Sequence, residues 1–132
     1  MINIHTRNFI FLGALMMGLA VLLAAFGAHA LKHSLSPAMQ IVYETGAKYQ
    51  FYHALGLLFI SFLTYINKAK LVIIAGYLMF ISTILFSFSL YFLSTTSIYW
   101  IGFITPIGGI GFVVSWILIL ISIKDLKVKQ EH

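Results

Sequence analysis

The side chains with chemistry to offer gather at a few places in an otherwise apolar chain. His29 closes the first apolar run, and Gln50 and His53 open the second, with Glu44 and Lys48 just ahead of them. Two imidazoles can pass a proton between them. With a carboxylate such as Glu44 they also suit zinc or copper. Three ligands spread over an interhelical segment are a weak metal signature, so neither a metal nor a cofactor is expected. Ser87, Ser89 and Tyr91 add hydroxyls near the end of the third run. In the fourth, Thr105, Pro106, Gly108 and Gly109 are poor material for an unbroken helix. Proline deletes a backbone donor and clashes one turn back. The sequence therefore predicts a kink or local unwinding between Thr105 and Gly109. Such backbone is tolerated in hydrocarbon only where neighbouring helices satisfy it.

Other chemistry is missing. The chain has no cysteine, no HExxH, no phosphate loop, no nucleophile elbow and no Asp or Glu inside its apolar runs. Disulfides, thiolate metal sites and the common hydrolase motifs are thereby excluded.

The elements that must position these residues follow from composition. Of 132 residues, 61% are hydrophobic and 8% charged, against roughly a quarter charged in a soluble domain. Lipid must be the solvent. The net charge of +5 sits at the ends of the apolar runs, where it orients a membrane chain instead of binding nucleic acid.

Four runs are long enough to cross a bilayer as helices: 9–31, 47–66, 71–93 and 100–123. The expected fold is an all-α membrane protein, a four-span transmembrane helix bundle forming a single integral membrane domain over 1–132. Ala28-His29-Ala30 resembles a leader cleavage site, but the first run exceeds the length of a secretory apolar region, so an uncleaved span is expected. Ser36 and Pro37 mark a helix start, and Gln40, Glu44 and Lys48 recur on one face opposite Met39, Val42 and Tyr43. A short amphipathic helix between spans 1 and 2 is predicted, feeding directly into span 2.

Four spans put both termini on one side. That side carries Arg7, Lys68, Lys70, Lys124, Lys127 and Lys129, and the other carries Lys32 and Lys48. The positive-inside rule makes the first side cytoplasmic. With alternating span direction, His29, Gln50, His53, Ser87, Ser89, Tyr91, Thr105, Pro106, Gly108 and Gly109 all fall in the outer half of the bilayer. They define a candidate polar pocket, in which His29 and His53 are expected within water-bridged reach. Glu44 and Lys48 read as a solvated interfacial pair. Tyr49, Tyr52, Tyr91, Tyr99 and Trp100 read as an aromatic belt, and Gly13, Ala20, Ala24 and Gly27 as a packing stripe.

These residues resemble a known family. Ala25-Phe26-Gly27-Ala28-His29-Ala30-Leu31, Leu35-Ser36-Pro37, Tyr49-Gln50-Phe51-Tyr52-His53-Ala54-Leu55, Phe86-Ser87-Phe88-Ser89-Leu90-Tyr91 and Thr105-Pro106-Ile107-Gly108-Gly109 follow one another in order. The pattern is similar to that of domain-of-unknown-function family 423, small bacterial inner-membrane proteins related to eukaryotic transmembrane protein 256. It runs from about Gly13 to Trp116, with Ala30 and Phe88 where the family commonly has glycine. The resemblance implies a four-helix protein of the bacterial cytoplasmic membrane and no established activity.

The leading functional reading is non-enzymatic: binding a lipid or small apolar molecule, or stabilising a membrane complex. Membrane lipid is the expected partner, with a second copy of the chain or another membrane protein also open. The alternatives are an oligomeric transporter or proton-linked channel using His29 and His53, and a membrane enzyme or metal-binding protein using the same histidines.

Overall fold

Backbone in hydrocarbon must bond within its own segment, and the apolar runs duly fold as helices. The computed structural model describes residues 1–125 and contains no strand among them. Helix α1 (Ile4–His29) starts at Asn3, whose side chain accepts from Thr6 N. Helix α2 (Pro37–Ile66) starts as the sequence predicts, with Ser36 Oγ accepting from Met39 N and Pro37 in the first turn. The amphipathic segment ahead of span 2 is not a separate element. It forms the first turns of α2, whose 30 residues measure about 45 Å, well beyond a hydrocarbon core of about 30 Å. Its apolar face does not lie on the membrane surface either, because Tyr43 and Ala47 are buried.

The third span is interrupted where the sequence gives no helix breaker. Helix α3 (Lys70–Thr83) widens into a π-helical turn at Ile84–Phe88, then continues as α4 (Ser89–Thr96). Ser97, at φ 57°, ends it in the left-handed conformation.

The fourth span corrects an expectation. Its irregular part is a 3₁₀ stretch at Tyr99–Phe103, and α5 (Thr105–Ser122) runs on from there through Gly108 and Gly109. Pro106 lies in the first turn of α5, where a missing N–H costs nothing because that donor has no intrahelical partner anyway. Ile107 N and Gly108 N both return to Ile104 O, at 3.1 and 3.3 Å. The proline thus starts a helix instead of bending one. A 3₁₀ turn at Ile123–Asp125 follows.

The α2 helix and the third span form the inner pair. Helix α1 packs chiefly on α2, and α5 chiefly on α3, so these two flank the bundle. The core joins Phe9, Ala54, Leu57, Ile60, Val72, Ala75 and Met79. Phe11, Leu22, Phe62, Ile110 and Leu120 face outward, an arrangement that would aggregate in water and is ordinary in lipid.

One close approach fixes the α3–α5 seam. A Cβ on Gly108 would lie 2.6 Å from Phe86 N and 2.9 Å from Phe86 Cα. Phe86 is the middle residue of the π turn. The widened turn bulges into the space where α5 has no side chain, so the bulge and the glycine are one interlock. Gly108→Ala should therefore lower stability by about 1–3 kcal/mol, the usual cost of overpacking, because backbone, not a flexible side chain, stands in the way. Gly109→Ala is the control: its Cβ would stand 3.7 Å from the Phe86 ring, and it should be neutral or slightly stabilising. Reversible unfolding in bicelles reads both, and equal losses would refute the interlock.

Candidate functional site

Helix α2 reaches across to α1 with three side chains, each donating to a backbone carbonyl. Gln40 Nε2 bonds Gly27 O at 3.2 Å, Tyr43 OH bonds Leu23 O at 2.7 Å, and Gln50 Nε2 bonds Met16 O at 2.9 Å. The donors step along α2 as the acceptors step back along α1, so a single antiparallel register satisfies all three. Small residues let the helices meet: the Tyr43 ring occupies the place where Gly27 would carry a Cβ. Near the other membrane face Asn3 Nδ2 donates to Thr64 O at 2.8 Å, and the Thr6 and Thr64 hydroxyls meet at 3.1 Å.

Gln50 is fully buried, and its other end accepts from Tyr91 OH at 2.7 Å. One amide therefore ties α2 to α1 and to α4. An unpaired amide in an apolar medium costs several kcal/mol, roughly 2–7, so both ends must be matched for the residue to be tolerated there.

His53 is buried as expected for an ionisable residue inside a span. Its Nδ1 lies 2.8 Å from Tyr49 O, and Trp116 Nε1 donates to its Nε2 at 3.4 Å. A carbonyl only accepts and an indole N–H only donates, so the arrangement assigns the neutral tautomer with the proton on Nδ1. The ring stacks on Phe112, with centroids 3.4 Å apart and planes 9° apart. Both nitrogens and one face are engaged by α2 and α5.

Ser89 joins the third and fourth spans. Its hydroxyl donates to Phe86 O at 2.8 Å and meets Thr105 Oγ1 at 2.7 Å. Ser87 Oγ, in the π turn, is buried with no partner among the described residues.

The residues expected in one pocket thus occupy separate joints. Gln50 and Tyr91 are brought together, as are Ser89 and Thr105, while His53 sits in an aromatic cluster with Tyr49, Phe112 and Trp116. Gly108 is filled by Phe86, Gly109 is half-buried, and Pro106 is exposed. His29 is exposed at the end of α1 and shares no partner with His53. The water-bridged histidine pair is not formed, because the second histidine turns toward α5 and the first stays at the surface. No group of three His, Cys, Asp or Glu able to hold a metal occurs among the described residues. Glu44 accepts from Gln40 Nε2 at 3.3 Å in place of pairing with Lys48.

Open space lies elsewhere, one part of it against Arg7, Asn8, Phe11 and Leu12 on α1. A groove of about 480 Å³ runs between α1 and the first half of α2. Its floor is Ala20, Ala24, Gly27 and Ala28, and Glu44, Lys48 and Tyr52 stand on its α2 side. None of the expected pocket residues lines it. Sequence reading put Glu44 and Lys48 on a solvated face and missed the groove beside them. The small residues of α1 were the available signal.

Comparison with known proteins agrees with this architecture. The family of proteins of unknown function DUF423 matches over residues 23–109. The chain is similar to the UPF0382 membrane protein YwdK of Bacillus subtilis, 47% identical over 88% of this chain and 95% of that protein. It is also similar to UPF0382 membrane proteins of Staphylococcus epidermidis and Staphylococcus saprophyticus. These are 43% and 44% identical over 88% of this chain, and 94% and 96% of those proteins respectively. No solved structure matches.

The three-helix tie makes a quantitative prediction. A double-mutant cycle of Gln50→Leu and Tyr91→Phe should give a coupling of about 0.6–1.7 kcal/mol, the range for hydrogen bonds between membrane helices. Steric-trapping measurements of unfolding provide the four stabilities. Strict additivity would show that the two side chains do not hold each other.

Proposed function

We propose that this protein, which belongs to the DUF423 family of proteins of unknown function, is a non-enzymatic four-span membrane protein that holds an amphiphile from the surrounding bilayer in the groove between α1 and α2. The contrast between that groove and the interior carries the reading. Inside, Gln50, Tyr91, His53, Ser89 and Thr105 bond one another or a helix carbonyl, while the small Ser87 hydroxyl of the π turn is buried without a partner among the described residues. A substrate there would first have to break those bonds. A proton relay through His53 would have to release Tyr49 O and Trp116 together. The groove is different in kind. It is open to the bilayer, apolar along its floor and charged at one rim, the combination that suits an apolar tail with a polar end.

The test is direct. The chain, reconstituted in nanodiscs of bacterial lipid extract and released in the gas phase, should retain an amphiphile at about one per chain, as expected of one groove of ligand size. Native mass spectrometry that finds only bare protein under conditions preserving the fold would overturn the reading.

The same reading puts the protein in a bacterial cytoplasmic membrane with both termini inside. Arg7, Lys68, Lys70 and Lys124 gather at that end of the bundle. Lys127 and Lys129, which add to this bias, lie outside the described residues. A phosphatase active only in the periplasm, fused to the C-terminus, should be silent. Strong activity would reverse the orientation and leave the bundle unchanged.

A further inference from the structure

The groove's rim has a charge order that points to one class of occupant. Glu44 and Lys48 both line it, four residues apart on α2. At the helical rise they differ in depth by about 6 Å. Helix α2 ends inside at Ile66, and about 20 residues span the hydrocarbon. Counting back from Ile66 puts the outer hydrocarbon boundary near Ala47. Lys48 is therefore at the boundary, and Glu44 stands one turn farther into the headgroup layer. Lys48 is exposed, and Glu44 is steadied by Gln40.

A zwitterionic phospholipid carries its charges in the matching order. Its phosphate lies next to the acyl chains and its ammonium lies beyond. We infer that the groove holds a phospholipid with a primary ammonium headgroup, phosphate toward Lys48 and ammonium toward Glu44, one acyl chain running inward from Lys48 past Phe51 and Tyr52. The inference rests on the proposal that an amphiphile occupies this groove and names which one. A primary ammonium donates hydrogen bonds to a carboxylate; a quaternary one cannot. A purely anionic headgroup would satisfy Lys48 and leave Glu44 facing like charge.

Nanodiscs containing equal phosphatidylethanolamine and phosphatidylglycerol, read by native mass spectrometry, provide the test. The wild-type chain should retain phosphatidylethanolamine over phosphatidylglycerol about fivefold, the factor given by one interfacial ion contact of ordinary strength. The paired exchange Glu44→Lys with Lys48→Glu keeps the net charge and touches only exposed side chains, so the fold should stand. It should bring the ratio to about one or below, since the order of charge is reversed. Phe51→Ala, at an exposed position lining the groove on the acyl-chain side of Lys48, should reduce total retained lipid several-fold without moving the headgroup ratio. Lipid held with no headgroup preference, or a preference that survives the exchange, would overturn this inference while leaving a bound amphiphile intact. Bare monomers, or a lipid-free dimer, would overturn both.

Discussion

A buried amide with both ends matched is what the rest of this bundle depends on. In hydrocarbon, Gln50 has no water to fall back on. It must find a donor and an acceptor at a fixed distance, and it finds them on two different helices, Tyr91 and the Met16 carbonyl. That requirement sets the depth of α4 against α2 and of α1 against α2. Apolar packing alone cannot set depth, because lipid tails are as apolar as leucine and one sliding position is nearly as good as the next. The Gln40 and Tyr43 bonds repeat the same register farther out. Thr6, Asn3 and Thr64 repeat it at the opposite membrane face.

The seam between the third and fourth spans is built differently. There the fit is between a widened turn and a missing side chain, Phe86 against Gly108. Ser89 and Thr105 add one hydroxyl contact beside it. The bundle thus has a hydrogen-bonded half and an interlocked half, joined through the inner pair of helices. His53 crosses between them, its ring against Phe112 and its Nε2 toward Trp116.

Much of the fold is legible in the sequence because bilayer thickness imposes it. The four spans, the Ser36-Pro37 helix start and the burial of Gln50 and His53 all follow from run length and residue cost. Partner choice is not legible in the same way. Pro106 and the glycines read as a kink, yet whether a proline bends a helix or begins one depends on where the preceding turn stops, and nothing in Tyr99–Ile104 announces a 3₁₀ stretch. The π turn is equally silent: Ile84–Phe88 holds no breaker, and the extra residue is accommodated because Gly108 yields space from another helix. Gln40 and Tyr43 share with Gln50 the spacing of one helical face, a signal visible in the sequence and masked by the competing Gln40, Glu44, Lys48 pattern. The groove is the hardest to read, since its walls come from two helices and its floor from residues chosen for being small.

The three long-range bonds from α2 to α1 all end on main-chain oxygen. Every amino acid supplies that oxygen. Met16 and Leu23 could therefore be exchanged for other apolar residues of suitable bulk without losing a single bond, whereas Gln40, Tyr43 and Gln50 have no such freedom. The two helices carry unequal shares of the information that aligns them. Over that outer stretch α1 is free to vary toward the lipid it lives in, to thicken or thin its surface as the membrane changes, while α2 keeps the register there for both.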